Sequence, residues 1–531
     1  MSLATAAPPD DPDALRAFAL ELQAALGRSE ARLEAAEAEL KARRLRIEKL
    51  EHQLAVLRRA RFGRSSEKLD QEIEQLELVI GELQETSAET EARAEAAGEI
   101  APARKVRGPR KPLPSHLPRE IVRHEPPATC PSCGSQKLSV IGEDAREVLE
   151  YVPAHFKVIV HVRPKVSCRA CEAITQAPAP PVPIERALPG PRLLAHVAVA
   201  KFCDHLPLYR QSEIYARDEV DLDRATMAEW MGRLAFLVEP LAERIGEHVR
   251  AGASLHADDT TVPVLDPGRG RTKTGRLWAL VRDERPFGSR APPAVTYRYS
   301  ANRKGEHARA LLEGCEGFLH ADGYAGFEKL FAPVPPSTAP RLFEVACWSH
   351  ARRKLYDVKE GSPAAEAALR KISALFAIEE EIAGLEPEAR LAVRQRETVA
   401  RLAELRTFLE ATLRRISRKG KLAGAIRYAT ARWDGLTRFA TDGRLEMTNN
   451  AAERAMRIPV LGRKNYLFAG SDEGGVRAAV FYTLIGTARL NDIDPEAWLA
   501  DVASRIADHP ITRLDELLPW NWRPDQIREA A

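Results

Sequence analysis

Long apolar runs are what this 531-residue chain lacks. No stretch approaches the roughly 20 residues needed to cross a bilayer, which argues against a membrane-spanning protein. The opening MSLATAAPPDDPD also lacks the basic-then-apolar order of a secretory leader, so a cytoplasmic location is expected. Net charge is nearly absent too: 79 Lys and Arg against 76 Asp and Glu leave +3, which by itself says nothing about nucleic acid. What is present is ordinary for a soluble protein with real cores, 44% hydrophobic and 29% charged residues. The length predicts several domains of roughly 100–200 residues each.

Charge is uneven along the chain. Residues 71–97 carry eight acids and one base, whereas 101–124 carry seven Lys or Arg against Glu120 alone. This is a solvated linker or a phosphate-binding arm in which Arg107, Arg110 and Lys111 lie in a minor groove. Upstream, Leu26, Leu33, Leu40, Ile47 and Leu54 recur every seven residues, with Leu22, Ala36, Leu50 and Leu57 on the second seam. Ser29 and Arg43 interrupt that seam. The heptads predict a coiled coil over 12–62 that pairs two copies, with an intramolecular helical hairpin as the other reading.

Four of the seven cysteines form two knuckles, Cys130-Pro-Ser-Cys133 and Cys168-Arg-Ala-Cys171, with 34 residues between them. Four thiolates from two C-x-x-C turns suit tetrahedral Zn2+, a redox dithiol being the rival, and the alternating EVLEYVPAHFKVIVHVRPKV (147–166) predicts a strand pair between them. Cys203, Cys315 and Cys347 stand alone and are expected in cores. Residues 189–250 read helical, two helices meeting near Asp221-Leu222-Asp223 either as a helix-turn-helix or as an ordinary helix pair.

His-Ala-Asp occurs twice, ending at Asp258 and Asp322, each in a strand-like segment. Three strands (254–265, 275–283, 294–300), a helix (304–315) and two further strands (317–324, 342–348) follow the order of a ribonuclease H-like α/β domain, with Asp258 and Asp322 on neighbouring strands. Adjacent Asp259 competes for the first role, but alternation sends it to the opposite face. In both copies the His shares the acid's face and can support it from behind. Glu453 opens a later helix, either as the partner of Asn450 in a capping box or as a third metal-binding acid. Two strand-borne aspartates and a helix-borne glutamate are what a two-metal phosphoryl-transfer site requires, with Mg2+ or Mn2+ as the ion. Arg454, Arg457, Arg463 and Lys464 follow closely and are placed to hold a DNA backbone.

LHADDTTVPVLDPGRGRTKTGRLWALVRD, LHADGYAGF, ACWSHARRKL, NNAAERAMR and LGRKNYLFAGSDEGG closely resemble the transposases of the insertion-sequence-66 family, and the resemblance runs over nearly the whole chain. It implies DNA cleavage and strand transfer at element ends, with Asp258, Asp322 and Glu453 as the acid triad and His350 and Arg353 in a family motif, His350 orienting a phosphate or nucleophile or else packing on Trp348. It also implies DNA as partner, small companion proteins of the same element, and residence at the nucleoid when bound. The family commonly has Asp-Glu-Thr at the first acid, where this chain has Asp258-Asp259-Thr260. A catalytically inactive DNA-binding accessory protein and a structure-selective nuclease without joining activity are the competing functions.

The expected architecture is multidomain α/β: coiled coil (12–62), acidic helix or linker (63–100), basic arm and zinc-binding β module (101–188), helical DNA-binding domain (189–250), ribonuclease H-like core in two parts (251–360 and 441–490) around a helical insertion (361–440), and a C-terminal segment (491–531). The insertion is needed because Asp322 and Glu453 are 131 positions apart. Its charged helices form either an arm that grips DNA or a partner, or a solvated pair.

Overall fold

The computed structural model describes residues 113–523, apart from 116, 153–154, 181, 185–186, 267–270, 333–339 and 467, and six isolated helical positions before residue 113. The heptad pairing, the acidic segment and Arg107, Arg110 and Lys111 lie outside the described residues. No helix among those described is long and apolar enough to cross a membrane.

The first sheet is the cysteine module. β1 (Arg119–Arg123), β2 (Leu138–Val152), β3 (His155–Cys168) and β4 (Ile174–Gln176) form it, with β3 central: antiparallel to β2 and β4, parallel to β1. Alternation in β3 buries Phe156, Val158, Val162 and Val166, so the predicted strand pair is present and extends beyond 147–166 at both ends. The buried Glu150 of β2 accepts the Leu193 backbone N–H at 2.8 Å and so caps the Pro191–Phe202 helix, whose own N-cap, Gly190, has no side chain to do it.

The second sheet has five strands: β5 (Ser254–Asp266), β6 (Arg271–Arg282), β7 (Ala294–Ser300), β8 (Gly317–Ala321) and β9 (Leu342–Ala346), in the order β7-β6-β5-β8-β9. β5, β6 and β7 are an antiparallel meander, and β8 and β9 run parallel to β5. A crossover containing the Gly305–Leu311 helix returns the chain from edge strand β7 to β8. The outward N–H groups of β7 are satisfied by the Asp472–Leu490 helix: Val295 N–H donates to Thr487 Oγ1 at 3.2 Å and Tyr297 N–H to Thr483 Oγ1 at 2.9 Å. That edge is therefore covered, not left as a template for pairing. Gly486 permits the approach, since a Cβ there would lie 2.8 Å from Val295.

Residues 361–440 differ from a projecting arm. Ile372 and Leu375 of Pro363–Glu381, Leu405 and Leu409 of Val399–Arg415, and Ile426 of Lys421–Ala431 share one buried cluster with Val345, Trp348 and Leu355. The apolar stripe of the insertion is thus spent on the helix that follows β9.

A second compact unit contributes residues 212–236 to the described part of the chain. There the Arg224–Arg250 helix begins with Asp223 Oδ2 accepting the Ala225 N–H at 3.0 Å, and Ser212 Oγ donates to Leu222 O at 2.6 Å. The connection from the preceding Leu208–Tyr215 helix occupies residues 216–223, with Glu219 left-handed at φ 57°. It is longer than the roughly 3–4-residue turn of a helix-turn-helix. The predicted pair of helices exists with a different joint.

Candidate active site and zinc module

The parallel register His256↔His320 fixes the two aspartates, which stand two residues further along their strands. Asp258 lies within β5 opposite Ala279 of β6, and Asp322 is the first residue beyond β8. There Asp322 Oδ1 accepts the Tyr324 N–H at 3.0 Å across Gly323, which is left-handed at φ 81°. Burial pushes the Asp258 carboxyl up to about 7, and the charges of Asp322, Asp259 and Glu453 push the same way. Carboxylate oxygens are the donors that a hard divalent cation takes.

The two histidines of the repeat work behind the acids. His256 and His320 are buried and stacked, ring centroids 4.0 Å apart. His320 Nδ1–H donates to Leu255 O at 3.0 Å, while its Nε2 accepts the Glu446 N–H at 3.0 Å, and burial holds the ring neutral by lowering its pKa to about 4. His256 Nδ1–H donates to Asn449 Oδ1 at 3.3 Å, and Asn449 Nδ2 donates to Ala257 O at 2.8 Å. Asn449 is fully buried and is the N-cap residue of Asn450–Ala455, the helix that carries Glu453. The histidines therefore join β5 and β8 to the third acid.

Glu453 does not form the capping box. Asn450 is the first helical residue, no side chain caps this helix, and Asn450 Oδ1 instead accepts from Ser349 Oγ at 3.3 Å. Glu453 Oε1 lies 3.6 Å from His350 Nδ1. His350 belongs to the Trp348–Tyr356 helix, and its pKa is raised to about 9, first by the Cys347 side chain and then by the charges of Glu453 and Asp322, against burial. Trp348 points elsewhere: it is buried edge-to-face on Trp433 and donates to Leu436 O. Among the described residues, Cys347, His350 and Glu453 bring ligand atoms within 4.8 Å of one another; the three acids do not form such a group.

Asp259 has an opposite fate to Asp258. Its side chain is 3% exposed and is held by Arg276 Nη1 at 2.9 Å and Arg303 Nη2 at 2.7 Å. It ties β5 to β6 and to the loop after β7.

In the cysteine module the two knuckles share one backbone pattern. Gly134 N–H donates to Cys130 O and Glu172 N–H to Cys168 O, each at 2.8 Å, and both Gly134 and Glu172 are left-handed. Cys130 N–H and Cys168 N–H in turn donate to Ser135 O and Ala173 O. The turns bring Cys130 Sγ to 3.4 Å from Cys171 Sγ and Cys133 Sγ to 3.7 Å from Cys168 Sγ, all four sulfurs within 4.8 Å of one another. A zinc tetrahedron with Zn–S of about 2.3 Å has edges of about 3.8 Å. Backbone N–H groups of Ala170 and Cys171 hold the Cys168 thiol down to about 6, which favours the thiolate a metal needs.

A family model described as Transposase IS66 family matches residues 186–477, more than half of the chain. The chain belongs to the IS66 transposase family. Flanking models of the family match 49–122 (Transposase C of IS166 homeodomain), 127–172 (zinc-finger binding domain of transposase IS66) and 483–520 (IS66 C-terminal element). The zinc-finger match and the four-sulfur cluster together support zinc as a constituent. Two uncharacterized proteins of Sinorhizobium fredii (strain NBRC 101917 / NGR234) are similar over most of their length. One, y4hP, is 44% identical across 89% of this chain and 88% of its own, and the other, y4qI, is 40% identical across 99% and 100%. The uncharacterized YuaK of Escherichia coli (strain K12) is 52% identical over 40 residues, 8% of this chain and 43% of its own.

Within this IS66-family chain the basic residues sort into two kinds. Arg353, Arg454, Arg457 and Lys464 are exposed, and Asn450, Glu453, Arg454 and Arg457 line a shallow pocket. Arg463 is turned inward, its Nη1 donating to Thr261 O and Oγ1 at 2.6 Å, and pins the loop to β5. Asn449 carries no local signal beyond being the first of a pair of asparagines. Cys347 is buried, as a core cysteine is expected to be, and its C-x-x-H spacing to His350 is in addition a ligand signal.

Proposed function

We propose that this chain is a DDE transposase with a ribonuclease H-like core, cutting DNA at the ends of its element and joining those ends to a target. The observation that carries the reading is the placement of Asp258 within β5 and of Asp322 just past the end of the adjacent parallel strand β8, with Asn449 linking the Glu453 helix to β5. Asp258, Asp322 and Glu453 would hold Mg2+ or Mn2+, and the bound ions supply Lewis-acid activation of the attacking and leaving oxygens. Asp258 must lose its proton before it can bind a cation. His350, cationic at neutral pH, sits where it can pair with a phosphate oxygen beside Glu453. Arg353, Arg454, Arg457 and Lys464 extend positive charge along the same surface and would contact backbone phosphates, Arg463 acting through the loop it anchors. Arg107, Arg110 and Lys111 would add contacts from the arm, and the heptads would pair two copies so that two ends are held together, with companion proteins of the element as further partners in the cytoplasm.

The test is magnesium-dependent nicking and joining of DNA carrying the gene's own flanking sequences, wild type against Asp322→Ala checked for folding. Activity lost in the variant supports the reading. DNA binding without nicking in the wild type, with or without companion proteins, points to an accessory protein.

A further inference from the structure

We infer that Cys347, His350 and Glu453 form a second zinc site, separate from the four-cysteine cluster, whose occupation withdraws Glu453 from the acid triad and stops DNA cleavage. The shut-off rests on the function proposed above; the binding does not. Cys347 and His350 are three positions apart across the start of one helix, a spacing that turns both side chains to one face, and Glu453 meets that face from a second helix. The three ligand atoms lie within 4.8 Å of one another. His350 Nδ1 is buried from solvent with no hydrogen-bond partner, although Glu453 Oε1 stands 3.6 Å away. That nitrogen stands between a thiol and a carboxylate, and Zn2+ bound there would displace a proton from the imidazolium. The thiol is already oriented: Cys347 Sγ accepts the Asn449 N–H at 3.2 Å, the outer bond that steadies a metal-bound sulfur.

Donor chemistry chooses the ion. One sulfur, one imidazole nitrogen and one carboxylate oxygen suit Zn2+ and are poor for Mg2+, which wants oxygens in octahedral array. Three protein ligands leave a fourth position open for water or a phosphate oxygen. Zinc held by Glu453 Oε1 would draw this carboxylate away from Asp258 and Asp322, so zinc and magnesium would compete for it.

The experiment titrates full-length protein with Zn2+ alone against a chromophoric chelator, in wild type, Cys347→Ser and His350→Gln. The wild type is expected to bind a second, weaker equivalent beyond the four-cysteine site, and each variant to bind it about 100-fold more weakly or worse, since even an outer-shell loss costs roughly 10–100-fold. Mg2+-dependent nicking by the wild type should be inhibited over the same Zn2+ range, and Cys347→Ser should need correspondingly more. No second equivalent in the wild type, or an undiminished one in both variants, overturns the site. If wild type binds the second equivalent but nicks no DNA in Mg2+, the proposed function fails while the site stands. If nicking persists unchanged with the second equivalent bound, the shut-off is overturned.

Discussion

Asp258 and Asp259 are neighbours in the chain and opposites in environment. Asp259 pairs with Arg276 of β6 and with Arg303 of the loop after β7, so Asp259→Ala should cost roughly 1–3 kcal/mol by leaving both arginines without this acceptor. Chemical denaturation would measure that loss, and a folded fraction that still nicks DNA separates this anchor from the proposed metal-binding acid beside it. Asp258 behaves differently because its folded carboxyl sits near 7, above its ordinary 3.8. In metal-free protein the stability associated with this group is fully present below about pH 4 and is lost as pH rises through about 7. Thermal melts without divalent ions should therefore fall between about pH 5 and pH 8 in wild type and fall less in Asp258→Asn. An identical decline in both would remove Asp258 as the cause.

At the scale of elements, the site depends on a buried polar chain that starts in the helical insertion. Arg394, fully buried, pairs with Glu379 at 2.5 Å and donates to Phe439, Asp442 and Leu445 carbonyls; Arg390 reaches Glu446 at 2.6 Å. Glu446 contacts His320 through its backbone, His320 stacks on His256, and His256 meets Asn449. Asn449→Ala breaks the last link and leaves a buried imidazole N–H and the Ala257 carbonyl unmatched. The expected cost is roughly 1–3 kcal/mol per orphaned group. Nicking should drop further than DNA affinity, because the Glu453 helix loses its tether while the exposed cations remain. Equal losses in cleavage and binding would reduce Asn449 to a general fold residue. The insertion is legible from its charged helical pattern, but its docking on Trp348 is not, since periodicity says which stripe is apolar and never what covers it.

Across the whole molecule, zinc and sheet stability should separate. The knuckles gather four sulfurs that suit Zn2+ at one end of the β2–β3 hairpin, whereas β5–β9 are held by strand pairing and the threonines of the Asp472–Leu490 helix. A thiol-directed chelator is therefore expected to raise amide exchange through 130–171 while β5 and β6 keep their protection, read by hydrogen-exchange mass spectrometry. Uniform loss of protection would mean that the metal module supports the whole fold.

The order of strands, the four metal-binding cysteines and the two aspartates were written in local pattern: alternation, C-x-x-C spacing and a repeated tripeptide. These are properties of neighbours in the chain, and the observed elements follow them, with Asp322 falling one residue beyond its strand. Glu453 was ambiguous because a helix-opening glutamate has a local use as a cap, and only the approach of Ser349 to Asn450 and of His350 to Glu453, both from the helix after β9, showed that this use is not taken. The inward turn of Arg463, the burial of Asp259 and the approach of Glu453 to Cys347 and His350 were likewise set by tertiary contact. A residue type fixes what chemistry a side chain can perform; which partner it meets depends on segments far along the chain, as with His256 and Asn449 at a separation of 193.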